Sequence, residues 1–205
     1  AAYVGKRFLS TASTVLGIAV PPRRARVEEE AMRSGPTQLK LAQGDPWEAF
    51  ELGHAFLGHV SQGEYPRAVW TSIPGRSESE IAHLISSVQK AGKTALIVVP
   101  TSRVAGELSS SLSAIFDVSI PVYNTEQTAS ERYRLYLQAK MGVHRAIVGT
   151  RSAVWLPMKD LGLIVIWDDG DDHLREARAP RTDALDVAVA RSHLEHVALA
   201  VGSYS

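Results

Sequence analysis

Four carboxylates crowd one short stretch, Asp168, Asp169, Asp171 and Asp172 around Gly170, directly after the apolar run LGLIVI and Trp167. Hard divalent cations take oxygen ligands, so acids gathered at a strand end are the residue types that hold Mg²⁺. The competing reading is a solvated acidic turn closed by Gly170. A second stretch, TSIPGRSE from Thr71 through Pro74, Gly75, Arg76 and Ser77 to Glu78, follows another apolar run. Amides at a strand-to-helix turn cradle anions, and Arg76 adds a cation, although a lone arginine there is more often a solvated turn side chain. Ser77 and Glu80, three apart, fit a capping box in which the helix satisfies its own first amides, and Glu78 and Glu80 then fill the field that would attract phosphate. The third group is Thr150, Arg151 and Ser152. Hydroxyls and a guanidinium suit phosphate oxygens without reading base sequence, and the alternative for Arg151 is to pair with a nearby acid.

To bring these groups together the chain must be an alternation of short apolar strands and longer helices. Its pattern predicts strands at 68–70, 95–99, 118–122, 145–149, 163–167 and 197–201, with helices at 77–91, 102–115, 128–140 and 181–193. Such alternation is the signature of an α/β parallel sheet with helices on both faces, and ligands bind at the carboxyl edge of such sheets. Ahead of it, residues 47–60 read as an amphipathic helix carrying Trp47, Phe50, His54 and Leu57. Residues 1–20 read as a short helical piece stopped by Pro21-Pro22.

The chain has 205 residues, 45% of them hydrophobic, enough for a full core in one domain with appendages. Its formal net charge is zero, so any contact with nucleic acid must come from local patches. Arg23, Arg24 and Arg26 form one such patch, offset by Glu28, Glu29 and Glu30 beside it, and a solvated linker is the simpler account. The absence of cysteine excludes disulfides and thiolate zinc sites within these residues. No apolar run approaches the ~20 residues that span a bilayer, so no membrane partner is expected. The pairs His54/His59 and His193/His196 lack a third ligand, and Trp47, Phe50 and Trp155 read as packing anchors. With no initiator Met, the chain is expected to be a fragment of something longer.

Taken in order, LIVVP (96–100), ASERYRLY (129–136), IVGTRSAVWLP (147–157), LGLIVI (161–166), Pro180-Arg181 with DVAV (186–189), and Gly202-Ser203 resemble the first motor lobe of the primosomal protein N′ (PriA) family of replication-restart helicases. LGIAVPPRRARV (16–27) is similar to the segment before the motor in the actinobacterial branch of that family. The resemblance implies a RecA-like, P-loop NTPase-type fold, lobe 1 of a superfamily 2 helicase. It implies residues 1–20 as the end of a preceding DNA-binding region, 21–46 as a linker and 47–205 as the lobe.

The departures from the family pattern are as informative as the matches. The family's nucleotide loop, G-x-T-G-S-G-K-T, aligns with Thr71 to Glu78, which puts Ser77 at the lysine that binds phosphate and Glu78 at the threonine that holds magnesium. At the family's acid box, Trp167 stands where the magnesium-binding Asp belongs, Asp168 and Asp169 take the places of two glutamates, and Gly170 replaces the His. The following loop, HLREARAP (173–180), lacks the family's coupling aromatics, and Tyr204 displaces an Ala in the last motif. No catalytic residue, metal ligand set or cofactor is therefore expected in this chain, and the family's zinc ligands lie outside it. Thr150, Arg151 and Ser152 match family positions that contact a nucleic-acid backbone.

The leading expectation is a cytoplasmic replication-restart protein that binds stalled or abandoned forks and DNA junctions, works with primosome and replicative helicase components, and has no helicase activity of its own. One alternative is an active ATP-dependent 3′–5′ helicase using Arg76, Asp168 and Asp169 as substitute ligands. Another is a small-molecule hydrolase with a metal in WDDGDD, which requires a deep pocket lined by further acids or His at the ends of the strands carrying Thr150 and Trp167.

Overall fold

The computed structural model describes residues 3, 11–32, 35–177 and 181–204. Pro180 of the Pro-Arg match and most of the first ten residues lie outside the described residues. The chain runs α1 (Ala12–Ala19), α2 (Ala25–Met32), α3 (Gly53–Ser61), β1 (Arg67–Thr71), α4 (Ser77–Lys90), β2 (Thr94–Val98), α5 (Ser102–Phe116) and β3 (Val122–Tyr123). It continues with α6 (Ala129–Met141), β4 (Ala146–Gly149), β5 (Leu161–Trp167), α7 (Ala184–Glu195) and β6 (Ala198–Ser203). Every strand pair is parallel, in the order β1-β6-β5-β2-β4-β3.

Parallel strands are covered on both faces, so their residues are apolar without alternation, and β2, β4 and β5 are buried throughout. The period of two instead sorts side chains between two cores. Ala95, Ile97, Val148, Leu163, Val165 and Ala200 pack under α4 and α5, while Leu96, Val98, Ile147, Ile164, Ile166 and Leu199 pack under α6 and α7. All six carboxyl ends fall on one edge, which is what gathers the three chemical groups.

Three local expectations change. Residues 47–60 are not one helix: a 3-10 turn at Pro46–Ala49 and α3 are separate, because Trp47 drops into the core and its indole donates to the Glu80 carbonyl at 2.9 Å. The third strand starts late, at Val122, because residues before it cap α5. Asp117 turns left-handed (φ 54°), and the amides of Val118 and Ile120 bond to the Ser113 carbonyl and hydroxyl.

The stretch 21–46, expected as a linker, contains α2 and is laced to the lobe. Val27 and Ala31, four apart, are buried, and α2 lies along α6. Tyr133 donates to Glu28 at 2.8 Å, Arg23 pairs with the same carboxylate, and Arg134 pairs with Glu30 at 2.7 Å. The hydrogen bond from Arg23, and then that from Tyr133, hold the Glu28 carboxyl down to about 2. Further along, Thr37 bonds to Val143, Gln89 to the Leu39 carbonyl, and Lys40 to Asp117. Among the described residues no helix is long and apolar enough to cross a membrane.

Candidate functional site

The loop after β1 is closed from inside. Ser72 extends the β1–β6 ladder through its amide to the Ser203 carbonyl, and residues 73–76 make a turn with Gly75 at φ 77°. Arg76 is the N-cap of α4 without a side-chain cap bond, and Ser77 is the first helical residue. The capping box expected between Ser77 and Glu80 is therefore not made. Ser77, Glu80, Ile81 and Leu84 share one buried stripe of α4, so position 80 faces the sheet and cannot reach back to the Ser77 amide.

Glu80 is fully buried and accepts three hydrogen bonds, from Ser72 Oγ at 2.6 Å, Trp70 Nε1 at 3.0 Å and the Ile73 amide at 3.4 Å. A buried carboxyl group is tolerable only with donors aimed at it, and here the loop itself supplies them. Arg76 is exposed and makes no side-chain hydrogen bond or ion pair among the described residues.

Aromatic rings fill the rest of the cradle. Trp167, the last residue of β5, is buried with its ring centroid 5.9 Å from Trp70 and edge-on to Tyr204 at 5.1 Å. Trp70 continues to Trp47 at 5.7 Å, which stacks on Phe56 at 6.1 Å. Tyr204 closes the outer end, its hydroxyl 2.8 Å from Ser77 Oγ. The row exists because β6 carries glycine between its neighbours: a Cβ on Gly202 would lie 2.4 Å from the Trp70 ring. Aromatic pairs of this kind contribute roughly 0.5–1.5 kcal/mol each beyond the burial of their area. The substitutions at Trp167, Ser77 and Tyr204 were visible in sequence, but Trp70, Glu80 and Gly202 were not seen as parts of the same object. Trp70 and Gly202 share a signal, position among the last residues of β1 and β6, while Glu80 is marked only by its place on the buried stripe of α4.

The acid box is dispersed into a turn. The left-handed residue is Asp168 (φ 58°) and not Gly170, and its amide bonds the Gly202 carbonyl at 2.6 Å. Burial first, then the charges of Asp171 and Asp169, push the Asp168 carboxyl up. Asp171 accepts from the His173 amide at 2.8 Å and lies 2.7 Å from its Nδ1, contacts that hold its carboxyl down. Asp172 and Asp183 both pair with Arg175. Among the described residues no three acid or His side chains converge as metal ligands. Without the lysine and threonine of the loop or a first acid on β5, and with Trp167 and Glu80 inside, these residues do not fit a magnesium-bound triphosphate.

Beyond β5 the same sheet edge is polar and open. Gly149 ends β4 where a Cβ would meet the Tyr123 carbonyl and the Ala153 side chain, both at 2.5 Å, and the chain folds into a 3-10 turn at Arg151–Trp155. The buried Thr150, with Arg151 and Ser152, lines a groove of about 340 Å³ together with Thr101, Ser102 and Thr125. Sequence reasoning missed the last three, although Thr101 and Ser102 follow β2 as Thr150 follows β4. Arg151 is paired with an acid outside the acid box: its Nε is 3.2 Å and its Nη2 3.5 Å from the two Glu176 oxygens, and Nη1 donates to the His173 carbonyl at 3.2 Å. The groove holds one carboxylate, already paired, rather than the set of acids a metallohydrolase needs. Of the upstream basic cluster Arg23 is paired, and Arg24 and Arg26 are exposed.

No protein-family model matches the chain. Among curated proteins it is similar to the probable replication restart protein PriA of Mycobacterium tuberculosis, 36% identical over 206 residues that make up 98% of this chain and 31% of that protein. The Mycobacterium leprae protein of the same name is 35% identical over 97% of the chain and 32% of its own length. Replication restart protein PriA of Chlamydia pneumoniae is 32% identical over 133 residues, 64% of the chain and 18% of that protein. The chain thus spans about a third of the length of its mycobacterial relatives. Among solved structures, RecG bound to a three-way DNA junction superposes with a TM-score of 0.52 at 19% identity, covering 91% of this chain and 24% of that one, a likeness of fold.

Proposed function

We propose, from the premise that this chain belongs to the PriA family of replication restart proteins, that the protein binds stalled or abandoned replication forks in the cytoplasm and promotes reloading of the replicative helicase, with this lobe as scaffold rather than motor. The observation that carries the proposal is the filled cradle. Phosphoryl transfer is catalysed by positioning and charge, through lysine, metal and acid. Here the corresponding space holds Trp167, Trp70 and the Glu80 carboxyl group, and the groups that would neutralise a triphosphate are replaced by Ser77 and Glu78.

The open half of the sheet edge supports the DNA-binding side of the proposal. Its hydroxyls and Arg151 have the chemistry of backbone recognition, and the RecG likeness is to a structure with a DNA junction bound. Primosome and replicative helicase components are the expected protein partners.

Two measurements test it. Labelled ATP with Mg²⁺ is expected to show no saturable binding to the full chain; micromolar binding abolished by Asp168→Ala would instead restore the reading of an active helicase with substitute ligands. Titration of forked DNA at about 50 and 200 mM salt is expected to show binding that weakens with salt, since each neutralised phosphate releases counterions. Binding absent at the lower salt would remove the fork-binding role from this chain.

A further inference from the structure

Arg151 is the one guanidinium in the polar groove, and three of its five N–H donors are already engaged. Nε and Nη2 face the two oxygens of Glu176, and Nη1 faces the His173 carbonyl, so a carboxylate takes the position of a phosphodiester's paired oxygens. The segment bringing it there is anchored. Leu174 is buried in the core, Arg175 bridges to Asp183 in backbone and side chain, and the Glu176 amide bonds the Thr182 carbonyl at 2.9 Å. In the same groove Ser152 Oγ is buried and has no hydrogen-bond partner among the described residues, a donor the closed arrangement does not use.

We propose that Glu176 is a built-in competitor for the backbone phosphate, so that this groove is a phosphate subsite held shut by its own carboxylate until nucleic acid displaces it. The inference rests on the DNA-binding reading above and adds the residue that regulates it. The pair is partly exposed, with side-chain exposures of 37% and 22%, so it is weak enough to exchange. A phosphate replacing Glu176 keeps Arg151 paired and brings an acceptor to a groove lined by Thr101, Ser102, Thr150 and Ser152.

The test uses the full chain, labelled forked DNA and two salt concentrations, with wild type, Glu176→Gln, Arg151→Ala and the double variant. Glu176→Gln is expected to tighten binding about two- to fivefold, the value of an exposed ion pair released. It should steepen the salt slope by about 0.7 to 0.9, one phosphate contact. Arg151→Ala should be nearly neutral alone, where Arg151 is already occupied, yet abolish the gain in the Glu176→Gln background. Glu176→Ala should behave as Glu176→Gln, whereas Glu48→Gln, an equal change of charge on another part of the surface, should leave affinity unchanged. If wild type binds with a salt slope and Glu176→Gln leaves both affinity and slope untouched, the competitor is refuted and the fork-binding reading survives. A gain that persists without Arg151 refutes it as well. No binding by any variant at low salt overturns both.

Discussion

Two halves of one sheet edge have met the same problem in different ways. At the β1–β6–β5 end, the space that a ligand would occupy is filled by rings and a carboxyl group from the chain itself, held by packing and buried hydrogen bonds. At the β2–β4–β3 end the groove remains, and a partly exposed ion pair closes it. Packing is not exchangeable: to admit a triphosphate behind the loop after β1, Trp167, Trp70 and the Glu80 carboxyl group would have to move. An ion pair in water exchanges one anion for another at little cost. On the proposal above, one sheet edge carries a site closed by packing beside a site closed by an exchangeable ion pair.

The sharpest way to break this contrast is to remove a ring. Trp70→Ala is expected to cost about 3–5 kcal/mol, as large buried aromatics do. In urea melts a loss below about 1 kcal/mol would show that the row does not hold its half together, and the variant should gain no ATP affinity. Next in size is Glu80→Ala, expected to cost about 1–3 kcal/mol because Ser72, Trp70 and the Ile73 amide lose their acceptor. Glu80→Gln should fall between this variant and wild type, since its carbonyl can still accept from Ser72.

The smallest effect lies at the seam between the halves, at Asp168. Its pKa is raised above 3.8 in the folded state, so the native chain holds the proton more tightly than the unfolded one. This contribution to stability is fully present below 3.8 and is lost as pH rises through the folded pKa. Asp168→Asn, a residue that tolerates the left-handed backbone, should flatten that limb of a stability-pH curve and shift neutral-pH stability by no more than about 0.5 kcal/mol. A curve unchanged by the substitution would remove the electrostatic account of the seam.

The parallel sheet was legible because buried strands announce themselves as apolar runs: 163–167 lies within β5, and 145–149 exceeds β4 by one residue. Which strands are neighbours was not, and the cradle depends on that. Trp70, Trp167 and Tyr204 meet only because β6 inserts between β1 and β5, a fact of order that spacing does not encode. Glu80 was misassigned because a capping box and an inward-facing stripe share the same three-residue spacing, and the sheet decides between them. The contacts of residues 21–46 with the lobe were hidden for a related reason. Charges dominate 23–30, while burial there rests on the small stripe of Val27 and Ala31. Arg151 and Glu176 stand 25 residues apart, beyond any local rule.

The aromatic row also gives the molecule an optical property. Of its four tryptophans, three (Trp47, Trp70 and Trp167) lie in series with centroids 5.7 and 5.9 Å apart, while Trp155 packs against the other core. Rings this close exchange excitation, so near-ultraviolet absorption and emission from the native chain report chiefly on the sealed end of the sheet. The protein thus carries its own dye for the ring-filled half of its sheet edge.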